Sequence, residues 1–163
     1  MKKKVGITIG VIVAIIIIAV VATNGGQTEP LTVSQKEAVQ AYASEIIDKL
    51  DALYATFENG ETQAKQISDE RQAPYNMAIG YMAEVRTTIG EINAIGFPAG
   101  AQEIKNITIN KLQSWQAGLD EIASKDETEV SLADPNTFYT AYLDVLIEIP
   151  ELKQDIQNIL VKL

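Results

Sequence analysis

The chain has 163 residues, 13 Lys and Arg against 22 Asp and Glu for a formal net charge of −9, and neither Cys nor His. Without Cys there is no disulfide, thiolate nucleophile or Cys-based zinc or iron–sulfur site, and without His the commonest metal ligand and the neutral-pH proton shuttle are also missing, so most catalytic arrangements are closed. The acidic balance repels phosphate backbones, so no nucleic-acid partner is expected.

Met1-Lys2-Lys3-Lys4 opens onto an apolar run from Val5 to Ala22, with Ile15-Ile16-Ile17-Ile18 at its centre. As a helix rising about 1.5 Å per residue it spans roughly 27 Å, close to a bilayer core of about 30 Å. Residues 1–22 therefore read as a signal-anchor forming a single transmembrane helix. Three lysines before the run, and no Lys or Arg after it until Lys36, set the N-terminus in the cytoplasm. Everything beyond Thr23 is then extracytoplasmic at the cell membrane.

A cleaved secretory signal is the rival reading, because Val20-Val21-Ala22 offers small residues where a signal peptidase cuts. The run is longer than the apolar core of such a signal, which is about 7–15 residues, and the anchor reading is preferred for that reason. The start also resembles a prepilin leader processed near Gly6, which implies a pilin-like filament subunit. It departs from that pattern, because Gly6 is followed by Ile7-Thr8-Ile9-Gly10-Val11 without the glutamate that bacterial pilins carry five residues after the cut. No Cys exists for a lipoprotein anchor.

Residues 23–30, Thr-Asn-Gly-Gly-Gln-Thr-Glu-Pro, are polar and contain Gly, and read as a short flexible linker. Setting aside Lys2, Lys3 and Lys4 leaves ten basic residues against the same 22 acidic ones, a formal charge of −12 beyond the membrane. Such a domain stays soluble and does not lie flat on anionic lipid, and a tether of this kind leaves its orientation loosely fixed.

Residues 31–163 carry apolar side chains at the three-and-four spacing of helices, with no alternation long enough for a sheet. The first helix opens at Ser34-x-x-Glu37, a capping-box pattern, follows Val39, Ile46, Leu50, Leu53 and Phe57 with Tyr42 and Tyr54 at its flanks, and stops at Asn59-Gly60. A second region, Glu61 to Ile95, is thinly apolar before Pro74 and carries Tyr75, Ile79, Met82, Val85, Ile89 and Ile92 after it, so a kink or break is expected at the proline. Gly96-Phe97-Pro98 closes it. The third helix, Ala99 to Ser124, is marked by Ile104, Ile107, Leu112, Trp115, Leu119 and Ile122, and the acidic segment Lys125 to Ala133 follows as a loop.

Asp134-Pro135 starts the fourth helix, as N-cap and first helical position. Its stripe, Phe138, Tyr142, Val145, Ile149, Leu152, Ile156, Ile159 and Leu163, keeps phase across Pro150, which predicts a bend without a break. The expected fold is all-α: one N-terminal transmembrane helix plus an antiparallel four-helix-bundle-like extracytoplasmic domain.

The acidic pairs Asp48/Asp51, Asp69/Glu70 and Asp120/Glu121 lie mostly off the stripes and read as solvated faces, and bundle di-metal sites require Glu-x-x-His motifs this chain cannot supply. Asp126-Glu127-x-Glu129 lacks the ligand spacing of an EF-hand and reads as an exposed loop. Trp115, Tyr42, Tyr54, Tyr75, Tyr139 and Tyr142 sit at or beside core positions, where packing is the default and a ligand cavity the alternative. No catalytic residue, metal ligand or cofactor site is expected. Asn106-Ile107-Thr108 is an N-glycosylation sequon on the outer side.

These features point to a membrane-tethered interaction or scaffold module with a protein partner or self-association. Ile156, Ile159 and Leu163 are the candidate contact, on condition that the last turns of the fourth helix outrun their neighbours; otherwise they belong to the core. A ligand-sensing bundle acting through a partner is the alternative. It resembles the periplasmic domains of chemoreceptors, which are followed by a second transmembrane helix and a signalling region that this sequence does not contain. A carboxylate-pair hydrolase finds no supporting spacing.

Overall fold

The computed structural model describes residues 30–66, 72–125, 129 and 134–163. The apolar run Val5–Ala22, residues 23–29 of the linker, the pair Asp69/Glu70 and the residues Asp126 and Glu127 lie outside them. Among the described residues there are four helices and no strand: α1 Val33–Gln66, α2 Gln72–Ala94, α3 Gln102–Ala123 and α4 Asp134–Val161. None of these is long and apolar enough to cross a membrane. All four belong to one compact unit, Thr32–Leu163.

The helices pack in a ring, α1 on α2, α2 on α3, α3 on α4 and α4 back on α1, with a slim diagonal contact between α2 and α4. Pairs of contacts fix their directions. Tyr42 meets Phe97 and Phe57 meets Tyr81, so α2 descends as α1 rises. Phe57 meets Tyr142 while Asp51 meets Lys153, and Trp115 bonds Glu148 while Gly118 faces Ala141. The bundle is antiparallel throughout, as short connections between amphipathic helices require.

Each helix end shows which local signal prevailed. The capping box of α1 is Thr32-x-x-Gln35, two residues before the expected Ser34: the Thr32 N–H donates to Gln35 Oε1 at 2.9 Å and the Gln35 N–H donates to Thr32 Oγ1 at 3.3 Å. These are the reciprocal bonds that satisfy two orphan donors, and Thr/Gln makes them as well as Ser/Glu.

The expected stop at Asn59-Gly60 is also corrected, because α1 continues to Gln66. Pro74 is the third residue of α2, in the first turn, where a missing N–H leaves no intrahelical bond unmade. Before α3, Gly100 takes φ 93° and the Ala101 N–H donates to the Pro98 carbonyl at 3.2 Å, a turn that delays the helix from the expected Ala99 to Gln102. In α4, Pro150 is exposed and interior to the helix, which passes through it without a break.

The core of α4 holds Phe138, Tyr142, Val145, Ile149, Leu152, Ile156 and Ile159, the stripe expected from its spacing. In α2 and α3 the expected Met82, Val85, Ile92, Ile104, Leu112, Trp115, Leu119 and Ile122 are buried, and three positions shift by one residue. Ala78 and Thr88 are buried where Ile79 and Ile89 were expected, with Ile79 37% exposed, and Thr108 is buried in place of Ile107. Each threonine Oγ1 donates to the carbonyl four residues earlier, Thr88 to Glu84 at 3.0 Å and Thr108 to Ile104 at 2.7 Å. That internal bond lets a hydroxyl be buried without an unmet partner.

Candidate functional site

The largest concentration of polar chemistry inside the bundle is an aromatic cluster toward the C-terminal end of α1. Phe57 stacks on Tyr142 with ring centroids 5.2 Å apart and meets Tyr81 at 4.5 Å, and Phe138 and Tyr139 join through Tyr142 at 5.9 and 6.4 Å. The Tyr142 hydroxyl donates to the Phe57 carbonyl. Burial raises the Tyr142 phenol far above its ordinary pKa, helped by neighbouring Tyr81 and the negative charge of Glu61, so it stays a neutral donor. Burial also raises Tyr81.

Gly60 is what admits this cluster. A Cβ there would lie 1.6 Å from Tyr81 Oη and 2.8 Å from its Cζ, so the phenol occupies the space a side chain would need. The glycine read as a helix stop is thus a close-approach site inside a continuing helix. The sequence did contain a sign of this: Ala64, seven residues after Phe57, is buried and keeps the stripe in phase across Asn59-Gly60. Tyr81 was absent from the candidate aromatics because it is flanked by stronger apolar positions and is itself only half-buried.

A second polar group ties α3 to α4. Trp115, 3% exposed, donates from Nε1 to Glu148 at 2.6 Å, and Lys111 Nζ lies 3.0 Å from the same carboxylate. Burial pushes the Glu148 carboxyl upward, but the hydrogen bonds from Trp115 and Lys111, with the lysine charge, outweigh it and hold the group below its ordinary value. All of these partners satisfy one another, and no buried side-chain donor or acceptor among the described residues lacks a partner.

The other candidates are dispersed. Asp48 and Asp51 are exposed and Asp51 pairs with Lys153; Asp120, Glu121 and Glu129 are exposed on the surface. Among the described residues no group of three or more acidic side chains is placed to hold a metal ion. Tyr42 is buried, whereas Tyr54, Tyr75 and Tyr139 are half-buried at the margins of the core.

Asn106 is exposed and accepts a bond from Gln102 Nε2 at 2.6 Å, but the sequon hydroxyl of Thr108 is fully buried and committed to the Ile104 carbonyl. A modifying enzyme that reads both residues would have to act before this helix forms. Ile156 is fully buried, Ile159 is 8% exposed and Leu163 is half-buried, so the inner face of the last turns of α4 packs in the core, while Val161 beside it is exposed.

Among the described residues, two surface grooves stand out. One, of about 430 Å³, is lined by Gly118, Glu121, Asn136, Thr137, Ala141 and Asp144 between α3 and α4. The other, of about 240 Å³, is lined by Thr56, Met77, Gly80, Tyr81 and Glu84 between α1 and α2. Both are shallow and open, unlike the enclosed apolar sites that hold small molecules. Compared with family models, curated proteins and solved structures, the chain matches none.

Proposed function

We propose that the protein is a membrane-tethered, extracytoplasmic helical interaction module that acts by presenting its surface to a protein partner and has no catalytic activity. The observation that carries this reading is the order of parts: a lysine-flanked apolar run of membrane-spanning length, a short polar linker, and then a bundle whose apolar stripes close on one another. Its interhelical polar groups, buried Tyr142 on the Phe57 carbonyl and part-exposed Glu148 with Trp115 and Lys111, tie helices together. What remains available to a partner is the outer surface.

The test is alkaline extraction and external proteolysis of the full chain in its host membrane. The expected result is retention of an uncleaved chain in the membrane and loss of the bundle to protease added from outside. Mature protein beginning near Thr23 and released without detergent would overturn the reading.

A further inference from the structure

The chain holds two Asn-Gly pairs, Asn24-Gly25 outside the described residues and Asn59-Gly60 inside α1, where Asn59 is exposed. An asparagine followed by glycine is the pair most open to attack by its own backbone, because glycine has no Cβ to shield its nitrogen. Two features of the fold stand against that attack at Asn59. In the helix the Gly60 N–H is committed to the carbonyl four residues back, and ψ of Asn59 must leave the helical range before the Gly60 nitrogen can reach the side-chain carbonyl carbon.

The second feature is a clamp. Tyr81 Oη stands 1.6 Å from where a Cβ of Gly60 would sit, and Tyr142 Oη stands 3.4 Å from the same point. The two phenols are hydrogen-bonded to each other, and Tyr142 also donates to the Phe57 carbonyl, about one turn before Gly60. Beyond the clamp α1 has little to hold it, since Ala64 is the one buried side chain among those described after Gly60. A helix end with so few buried contacts opens locally, at less cost than global unfolding. The phenols therefore decide how often the Asn59-Gly60 peptide is free to turn.

We propose that Asn59 is a latent self-modification site, and that its conversion to isoaspartate is gated by the Tyr81 and Tyr142 phenols packed on Gly60. When α1 opens past Phe57, the Gly60 nitrogen attacks the Asn59 side-chain carbonyl carbon. A new C–N bond forms, the bond to the amide nitrogen breaks, and that nitrogen leaves as ammonia with the proton from Gly60. Water then opens the cyclic imide at one carbonyl or the other, giving isoaspartate or aspartate; no other reactant is needed. Isoaspartate adds a methylene to the backbone and a carboxylate between Glu58 and Glu61, so the hydrogen-bond register of α1 cannot be restored through it. Gly60 then no longer returns beneath Tyr81, and a transient opening becomes a permanent one.

The test follows Asn59 in the full chain in detergent at mildly alkaline pH, natively and in urea, by mass spectrometry with isoaspartate labelled by isoaspartyl methyltransferase. Native conversion should be at least ~10-fold slower than conversion in urea, and Tyr142→Phe, with unchanged circular dichroism, should speed it at least ~3-fold. Ile156→Ala weakens the core about 21 Å along α4 from Tyr142 and should leave the native rate within ~2-fold, because local opening sets it. In the unsubstituted chain the Gly60 amide hydrogen should exchange more slowly than an unstructured amide but faster than that of Leu50 in the same helix.

Native conversion as fast as in urea, or a Gly60 amide without protection, would show that there is no gate. A Tyr142→Phe chain that folds and converts no faster would free the site from the phenols, and equal acceleration by Ile156→Ala would make global unfolding the route; either result overturns the proposal. Should Tyr142→Phe fail to fold, the exchange measurement decides, and a Gly60 amide as protected as that of Leu50 would overturn the proposal by itself.

Discussion

Along α4 every core position is a large apolar or aromatic side chain, Phe138 to Ile159, whereas the core faces of α2 and α3 use Ala78, Thr88 and Thr108 among their larger residues. The two halves of the bundle solve the same packing problem differently. Big side chains line the core face of α4, which packs on α1 and α3, while α2 and α3, which share the most extensive approach in the fold, place small side chains among their core residues. Closely packed small residues gain dispersion contacts between backbones, and large ones gain buried area. The threonines are tolerated because each hydroxyl is satisfied inside its own helix.

The sharpest break between the halves comes from truncation. Phe138→Ala and Ile156→Ala remove side chains with no exposed surface and should each cost about 3–5 and 2–5 kcal/mol respectively, measured by denaturant unfolding of residues 31–163. Ile79→Ala, on the face of α2 that the spacing nominated as core, should stay within about 0.5 kcal/mol because the side chain is already over a third exposed. A large loss at Ile79 would mean that the core face of α2 is rotated from the one described.

Glycine supplies the next contrast. Gly60→Ala sets a methyl into the Tyr81 phenol and should cost about 1–3 kcal/mol, with part of the loss recovered in the Gly60→Ala/Tyr81→Phe double variant. Gly90→Ala meets nothing within 4 Å and should instead stabilise α2 by about 0.5–1 kcal/mol through helix propensity. If both substitutions had the same sign, the close approach of Tyr81 to α1 would not exist in solution.

What the sequence made legible follows from this contrast. The α4 stripe was readable because its alternating four-and-three step runs unbroken through eight positions, so spacing selects it over adjacent apolar residues such as Leu143, Leu146 and Ile147. In α2 the pairs Ala78/Ile79 and Thr88/Ile89 offer two adjacent residues for one core position, and hydrophobicity favours the isoleucine in each. The fold buries the smaller residue of each pair, and what packs against it is invisible in a single chain pattern. Gly60 and Pro74 were misread for a related reason: both are helix breakers by local rule, but one makes room for a ring from another helix and the other sits in a first turn. The Trp115–Glu148–Lys111 group links residues far apart in sequence, where no spacing rule operates.

A smaller effect sharpens the threonine side of the comparison. Thr108→Val keeps the buried volume nearly constant and removes a hydroxyl whose acceptor, the Ile104 carbonyl, retains its helical role; the expected cost is that of one hydrogen bond, about 0.5–1.5 kcal/mol. Thr108→Ala loses the same hydroxyl and also opens a gap at a fully buried position, and should cost more. Equal costs would assign the effect to the hydroxyl bond that both variants lack, and a costlier Thr108→Val would show that the second methyl does not fit this position.

The smallest effect is read by pH, and it concerns the seam where the two halves join. Glu148 is held below its ordinary value in the folded chain by Trp115, Lys111 and the lysine charge. A depressed carboxyl stabilises the fold above its unfolded pKa of about 4.3, and that contribution disappears as pH falls through the lower folded value. Both Lys111 and Glu148 are about a third exposed at the side chain, so solvent screening limits the contribution to less than about 1 kcal/mol. Trp115 is the single tryptophan, and its fluorescence reports the group directly. Acidification below pH about 4.3 should change that emission as the carboxylate on Nε1 is protonated, before global unfolding. Glu148→Gln keeps an acceptor for the indole but cannot titrate; it should therefore abolish this early step while leaving the core helices intact. An early step that persists in Glu148→Gln would assign it to carboxylates elsewhere in the bundle and leave the α3–α4 seam without an acid-sensitive tie.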